Sequence, residues 1–200
     1  MMRDAEMAEA RKGGDNARGA EVDRRTLERC RQRDPIAFRV FVVRYERPLF
    51  ALLSRMLGRG PHVQDLAQEA FIRAYGAFPR FDLDGAAKPS TWLLTIGTRL
   101  ALDWAKSPQR AREADAVASA DLPGTPDGRL DERRELGRLI ERAAQELTAE
   151  QRAVLILADV HELSIPEIAE AVGVPEGTVK SRLSRAREHM RERLRPLRRP

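Results

Sequence analysis

The sequence has only one cysteine and no long apolar run, and each shortage excludes a class of protein. Cys30 is the single cysteine among 200 residues, so the chain has no internal disulfide framework and suits a reducing compartment. No apolar run approaches the roughly 20 residues that span a bilayer, and the N-terminus has no signal-peptide core. We therefore expect a cytoplasmic protein with no direct membrane insertion.

The residue groupings of metal sites and catalytic sites are also absent from the sequence. His62, His161 and His189 are the only histidines. They lie far apart, and none has a metal-ligand spacing to Cys30. We find no glycine-rich phosphate loop and no catalytic acid paired with a base. The sequence therefore predicts no catalytic residues, no metal, no other cofactor and no enzymatic activity.

Positive charge is in excess and is concentrated at the C-terminal end. The chain has 36 Lys and Arg residues against 31 Asp and Glu, which gives a net charge of +5. Residues 176–200 alone have nine Lys and Arg against three Glu, a local net charge of +6. This concentration favours an anionic partner for the last part of the chain.

Apolar residues repeat at helical spacing and strand alternation is absent, so we predict an all-α fold. Asp34 followed by Pro35 is a typical helix start. Pro48, inside that helix, predicts a kink or a short break. A helix over about residues 62–77 follows, and Ser90 is expected to cap a further helix.

Changes in composition along the chain predict two small helical domains joined by a flexible linker. Residues 1–22 are small and charged, which is typical of a disordered tail. Residues 23–106 form the N-terminal domain, and residues 107–131, rich in Pro, Gly, Ala and Asp, form the linker. Residues 132–200 form the C-terminal domain and its basic tail.

A short capped helix, a glycine turn and a longer helix follow one another near the C-terminus. Thr148 with Gln151, and then Ser164 with Glu167, have the spacing of a capping box. Gly173 stands where a left-handed C-cap is needed. This order predicts a helix-turn-helix in the C-terminal domain.

The last helix has one apolar face and one polar, basic face. The apolar face consists of Val179, Leu183, Ala186 and Met190. Hydroxyls and guanidiniums make up the other face, where they can contact phosphate, and arginine can also bind guanine. Its members are Ser181, Ser184, Arg185 and Glu188, flanked by Lys180 and Arg182. A solvated basic helix would have the same composition, but the capped helix before it favours a DNA-reading helix.

An acidic pair stands on the helix over about residues 62–77. Asp65 and Glu69 are four residues apart and share one face with Gln68, so the two carboxylates repel each other unless a cation meets them. Arg73 can meet Glu69 within the helix, and the pair would then be purely structural. The functional alternative is a docking patch for a basic or polar partner helix.

A polar stripe runs along the next predicted helix. It consists of Thr91, Thr95, Thr98 and Arg99. With Trp92 and a flexible loop beside it, the stripe suits backbone contacts and base stacking on single-stranded nucleic acid. The alternative is that Trp92 and Trp104 are core residues and that the threonines are merely tolerated.

Three segments together resemble a known family. They read "DLAQEAFIRAYGAFPRFD", "STWLLTIGTRLALDWAK" and "LSIPEIAEAVGVPEGTVKSRLSRARE". In this order and spacing they are similar to the signature segments of bacterial RNA polymerase sigma factors of the sigma-70 family, specifically the compact extracytoplasmic-function (ECF) group. The resemblance covers roughly residues 26–106 and 132–195. It implies a non-enzymatic subunit that binds RNA polymerase core and directs promoter-specific transcription initiation.

The resemblance also implies a role for each candidate site. The core polymerase-binding positions, which in the family dock on the clamp coiled coil of the largest subunit, match Asp65, Gln68, Glu69 and Arg73. The minus-ten positions, which engage melted DNA and a flipped base, match Phe81, Trp92, Thr95 and Arg99. The minus-thirty-five positions, which enter the major groove, match Thr178, Lys180, Ser181, Arg182, Ser184 and Arg185.

Partners and departures follow from the same resemblance. The expected partners are promoter DNA, the largest and second-largest subunits of core polymerase, and an anti-sigma factor. An asparagine is common in the family where Arg99 stands, and a glycine often precedes the helix-turn-helix where this chain has His161 and Glu162. A stand-alone helix-turn-helix regulator with an N-terminal dimerisation or sensing bundle is the alternative function. The last helix fits that alternative equally well, whereas the patch around Asp65 does not.

Overall fold

The computed structural model describes residues 21–107 and 128–195, with side chains in the second range from residue 135 onward. The predicted tail up to residue 20 and the predicted linker over residues 108–127 lie outside the described residues. Within the described ranges the regular structure is helical and no strand occurs, so the all-α prediction is confirmed. The helices are α1 (Arg24–Arg31), α2 (Pro35–Leu57), α3 (Pro61–Ala77), α4 (Pro89–Lys106), α5 (Gly128–Gln145), α6 (Ala149–Asp159), α7 (Ile165–Val172) and α8 (Glu176–Leu194), with a 3-10 turn at Phe78–Arg80.

Helix α2 is the centre of the N-terminal helical body and packs against α1, α3 and α4. The Asp34 carboxylate accepts hydrogen bonds from the backbone N–H groups of Ile36 and Ala37 at 2.8 and 3.2 Å, as its predicted capping role requires. The helix runs through Pro48 without interruption, so the expected short break is absent. It ends at Leu57, and Gly58 follows as the C-cap with a φ of 83°, in the left-handed region that favours glycine.

Helix α4 starts two residues earlier than the sequence predicted. Lys88 is its N-cap and Pro89 its first residue, a position where proline is favoured because its missing N–H would be unpaired anyway. Ser90 is therefore inside the helix and does not cap it. Its hydroxyl instead donates a hydrogen bond to Glu21.

The chain is already packed at the last two residues that the prediction assigned to the tail. Val22 is buried, and its backbone N–H lies 3.3 Å from the Tyr45 hydroxyl oxygen. The same hydroxyl donates a hydrogen bond to Glu21. Burial, together with this hydrogen bond to a carboxylate, raises the pKa of Tyr45. Folded structure therefore begins by residue 21.

The C-terminal helical body begins with α5 and has the capping chemistry that the sequence predicted. Thr148 and Gln151 exchange reciprocal hydrogen bonds, each of 3.2 Å, at the start of α6. At the start of α7 the Glu167 carboxylate accepts both the Ser164 backbone N–H at 2.8 Å and the Ser164 hydroxyl at 2.6 Å. Gly173 closes α7 with φ 69°, which is the predicted left-handed cap.

The two helical bodies close on each other. Helix α4 packs against α6 and α7, helix α2 also packs against α6, and buried side chains of both bodies form one continuous hydrophobic core. This arrangement places α4 at the junction between the bodies and leaves α8 on the outside of the C-terminal body. No helix in the described part of the chain is both long enough and apolar enough to cross a membrane.

Candidate nucleic-acid interface

Helix α8 shows the two faces that its sequence predicted. Val179, Leu183 and Ala186 are buried, and Met190 is half-buried. The predicted DNA-reading side chains lie on the opposite side. Four of them, Lys180, Ser181, Ser184 and Arg185, are exposed, while Thr178 and Arg182 are half-buried. The structure therefore brings the six predicted residues together on one helix and leaves their polar face open.

The polar face of α8 has few internal partners. Lys180 forms a long ion pair with Glu176, at 3.9 Å, and the Ser181 hydroxyl donates to the Thr178 carbonyl at 3.0 Å. Among the described residues, Arg185 has no ion pair or hydrogen-bond partner. Arg187 differs, because it forms an ion pair with Asp159 of α6. A free guanidinium such as that of Arg185 is available to bind phosphate or guanine.

Helix α3 presents the predicted acidic patch on its surface. The Glu69 carboxylate binds Arg73 at 2.7 Å, which is the internal pairing that the sequence allowed. Asp65 and Gln68 are exposed, and Asp65 has no ion pair in the described part of the chain. Ile72, which the sequence analysis did not single out, is 57% exposed on the same helix. The patch therefore combines one free carboxylate with a large exposed apolar side chain, so it is suited to docking a partner.

An aromatic cluster precedes the polar stripe of α4. Phe81 is buried, and its ring lies 4.7 Å from that of half-buried Trp92, tilted by 36°. Phe78, also buried, packs edge-on against Trp92 at 5.3 Å. Trp104 belongs elsewhere, stacked on His62 at 4.2 Å. Trp92 is thus partly a core residue, as one of the two alternatives predicted. Its accessible side leaves room for the base stacking that the other alternative predicted.

The threonines of the predicted polar stripe are buried rather than accessible. Thr91, Thr95 and Thr98 are at most 8% exposed. Thr91 donates to Glu167 at 3.2 Å, and Thr95 donates to the backbone carbonyl of Thr91 at 2.9 Å. In this conformation α7 of the other helical body covers this side of α4, so a role of the stripe in binding single-stranded nucleic acid stays a prediction.

Arg99 is exposed, but its guanidinium is already bound within the chain. Its Nη2 donates to the carbonyl oxygen of Glu170 at 2.8 Å, and its Nε donates to that of Ala171 at 3.4 Å. Both carbonyls belong to the last turn of α7, where unpaired carbonyls and the helix dipole favour a cation. Arg99 therefore binds the C-terminal end of α7 in this structure.

Arg152 is a buried arginine whose role the sequence analysis missed. It is only 3% exposed, and it donates to the carbonyl oxygens of Met56 at 2.6 Å, Ala144 at 2.8 Å, Gln145 at 2.7 Å and Leu147 at 3.1 Å. The sequence feature that could have indicated its burial was its position beside apolar Ala153, at the start of a capped amphipathic helix. The residue joins the two helical bodies.

Two family models match the chain, one for each helical body. The model described as Sigma-70 region 2 matches residues 41–111, which include the acidic patch of α3 and the whole of α4. The model described as Sigma-70, region 4 matches residues 137–190, which include the helix-turn-helix.

Characterised relatives match over nearly the whole chain. The ECF RNA polymerase sigma factor SigW of Bacillus subtilis (strain 168) is 35% identical over 188 residues, which cover 87% of this chain and 97% of SigW. The ECF RNA polymerase sigma-E factor of Escherichia coli (strain K12) is 33% identical over 188 residues, 88% of this chain and 96% of that factor.

Solved structures share the fold. The sigma factor RpoE of Bartonella quintana, in complex with the anti-sigma factor NepR, has a TM-score of 0.59 at 23% identity and covers 79% of this chain and 96% of its own. CnrH, in complex with the cytosolic domain of CnrY, has a TM-score of 0.61 at 24% identity, with 87% and 97% covered. The chain therefore belongs to the ECF group of RNA polymerase sigma factors, which direct transcription initiation at promoters.

Proposed function

We propose that this chain is a non-enzymatic specificity subunit whose three candidate surfaces act together on one promoter. The patch on α3 binds core polymerase, α4 and the aromatic cluster before it hold unpaired DNA, and α8 reads duplex DNA. The observation that carries the proposal is the presence of both sigma regions on a single chain, with an accessible acidic patch in one and an accessible basic helix in the other. A stand-alone regulator is not favoured, because it would have no use for region 2.

The docking surface for polymerase is the face of α3 with Asp65, Gln68, Glu69 and Arg73. Its partner is a basic or polar helix, which in this family is the clamp coiled coil of the largest subunit. The free Asp65 carboxylate offers it an acceptor, and exposed Ile72 adds apolar area at the same place. Contacts of the linker with the polymerase channels would bring in the second-largest subunit.

Recognition of duplex DNA at the minus-thirty-five element is assigned to α8. Neutralisation of phosphates by Lys180, Arg182 and Arg185 supplies affinity that does not depend on sequence. A well-made base contact adds about 1–3 kcal/mol of discrimination. Ser181 and Ser184, short and exposed, let the helix approach the groove closely.

Recognition of melted DNA at the minus-ten element is assigned to Phe81, Trp92, Thr95 and Arg99. Stacking on an aromatic side chain contributes about 1–3 kcal/mol per base. The guanidinium of Arg99 would bind a backbone phosphate, which every DNA sequence provides. The accessible side of half-buried Trp92 supports the stacking role, since Phe78 and Phe81 hold its ring in place.

An anti-sigma factor is proposed as a further partner. Two solved structures of similar fold are complexes, one with the anti-sigma factor NepR and one with the cytosolic domain of CnrY. A protein of this kind would inhibit by competing for the surfaces that bind polymerase or DNA.

Run-off transcription with purified core polymerase on a pool of genomic promoter fragments tests the proposed function. We expect defined transcripts that appear only when the chain is added. The chain without polymerase should give no sequence-specific footprint, because two weak DNA contacts gain from each other only when their separation is fixed. Transcription that is the same with and without the chain, on every fragment of the pool, would overturn the proposal.

A further inference from the structure

Helix α2 has an apolar stripe on its outer side that none of the three proposed binding surfaces uses. Ile36, Val40 and Val43 are 69%, 50% and 63% exposed, and Phe50 continues their line toward the end of the helix. These four are half of the eight large apolar side chains that are exposed in the described part of the chain. Apolar side chains gathered on one helix face in this way mark an interaction surface.

The spacing of this apolar stripe is that of a helix pair. Its positions alternate by four and three residues, which is the heptad seam through which two helices pack; they are Ile36, Val40, Val43, Arg47 and Phe50. The opposite face of α2 is already buried in the N-terminal body, against α1, α3 and α4. The helix that fits the seam therefore comes from outside this body.

Two charges flank the apolar stripe so that α2 complements itself. Arg39 and Glu46 are exposed, and neither side chain has an ion pair or hydrogen bond with another described residue. They stand on either side of Val40 and Val43 in the sequence. When two copies of α2 pack antiparallel, with Val40 of each opposite Val43 of the other, Arg39 of each copy lies beside Glu46 of the other.

Other alignments of two copies lack this match. A parallel pair with the same seam would set Arg39 beside Arg44 of the second copy, where like charges repel. An antiparallel pair centred on Val43 would place Val40 opposite Glu46 of the second copy. Of the three alignments, the one with Val40 opposite Val43 combines apolar contact with two attractive ion pairs.

We propose that α2 is a self-association surface, through which two copies of this chain form an antiparallel dimer with Val40 and Val43 at its centre and two Arg39–Glu46 pairs at its flanks. In such a two-fold contact the same patch serves both copies. The inference goes beyond the proposed function and does not depend on it, since polymerase and DNA were assigned to α3, α4 and α8. A seam of two or three turns buries less than the roughly 1,600 Å² of a standard interface, so the dimer is weak, with a dissociation constant on the order of 50 µM.

Sedimentation equilibrium of the full-length chain in reducing buffer, from about 5 to about 300 µM, brackets this constant. We expect the weight-average mass to rise from the 22.6 kDa of one chain toward twice that value. Val43→Glu places a carboxylate at the centre of the seam in both copies, so it should weaken the dimer more than about tenfold. Because Val43 is exposed in the single chain, this variant should fold as the parent does, which circular dichroism checks.

Charge exchange tests the alignment of the two copies. Arg39→Glu and Glu46→Arg each replace both attractive pairs by repulsive ones, so each variant alone should dimerise about tenfold more weakly than the parent. A mixture of the two variants should form a mixed dimer as stable as the parent dimer, because both of its pairs are again attractive. Arg138→Glu and Glu141→Arg, on exposed positions of α5, make the same changes in net charge and should dimerise as the parent does.

Three results would each reject dimerisation through α2: a parent chain that stays monomeric over the whole range, a mixture that associates no better than its two components, or an equal loss in the α5 controls. A monomeric parent, together with loss of co-purification with core polymerase by Val43→Glu, would identify the apolar stripe as a polymerase contact and would also overturn the inference. Run-off transcription with the parent chain tests the proposed function separately, so that either proposal can fail alone.

Discussion

The Nη1 atom of Arg152 lies 2.6 Å from the carbonyl oxygen of Met56, although the two residues are 96 positions apart in the chain. The carbonyl is at the end of α2, and the arginine is in the first turns of α6. The remaining donors of the guanidinium bind Ala144, Gln145 and Leu147, where α5 ends. One buried cation thus satisfies carbonyl oxygens at the ends of two helices and fixes a third helix between them.

We predict that Arg152→Met lowers the free energy of unfolding by about 3 kcal/mol, since several buried carbonyl groups lose their donor and none can turn to water. Urea denaturation followed by circular dichroism measures this change. Arg142→Met, on the exposed side of α5, is the control and should change stability by less than about 0.5 kcal/mol. Equal stability of the two variants would show that Arg152 does not join the helices.

Local features of the fold were predictable from sequence, whereas the contacts between the bodies were not. The caps at Asp34, at Thr148 and at Gly173 depend on residues within a few positions of each other, so their spacing is enough to predict them. The burial of Thr95 depends on α7, more than 60 residues away, and no periodicity within α4 contains that information. The burial of Arg152 also depends on distant helices, and from its charge alone an exposed position would be predicted.

The candidate nucleic-acid interface shows the same contrast between features of a single helix, which the sequence predicts, and contacts between helices, which it does not. The polar face of α8 was predicted correctly because it is a property of one helix, and its exposed residues show that no other element of the described chain covers it. The stripe on α4 was also predicted from the pattern of one helix, but its threonines are buried in this structure because α7 packs on that side of α4. A single-helix pattern predicts which residues share a face, but another helix decides whether that face is open.

The double substitution D65K/E69K should abolish association with core polymerase, because it removes the free carboxylate, breaks the pair with Arg73 and reverses the charge of the patch. Co-purification with core polymerase measures association, and binding to a minus-thirty-five duplex measures the separate function of α8. E135K/E141K is the matched control, with the same change in net charge on exposed positions of α5. If both double variants lost polymerase equally, the patch would have no specific role.

Arg185→Ala should reduce initiation at a promoter that depends on the minus-thirty-five element by about tenfold or more, the value of one good base contact. Arg187→Ala changes the charge of the same helix equally, but Arg187 is paired with Asp159, so the effect should stay below about threefold. Run-off transcription measures both, alongside a circular dichroism check that each variant is folded. Equal losses would mean that α8 contributes charge alone.

The turn before α7 should make stability depend on pH. Burial, with a smaller contribution from the positive charge of Arg55, lowers the pKa of His161 to about 4 from an ordinary value of 6.5. Its Nε2 atom is buried and has no hydrogen-bond partner among the described residues. Between those two pH values the unfolded chain binds a proton at this ring and the folded chain does not.

Stability should therefore be lost as pH falls from about 6.5 toward 4, with a slope that approaches about 1.4 kcal/mol per pH unit at most for a single group, and less where water reaches part of the ring. The sign follows because protonation favours whichever state has the higher pKa, here the unfolded one. His161→Gln is neutral at every pH, so the difference between the two urea-denaturation series isolates this residue from carboxylates that titrate in the same range. Arg55→Gln should reduce the difference, since one cause of the lowered pKa is removed. Parallel curves for the parent and His161→Gln would show that the imidazole is solvated in the folded chain and that the turn is open to water.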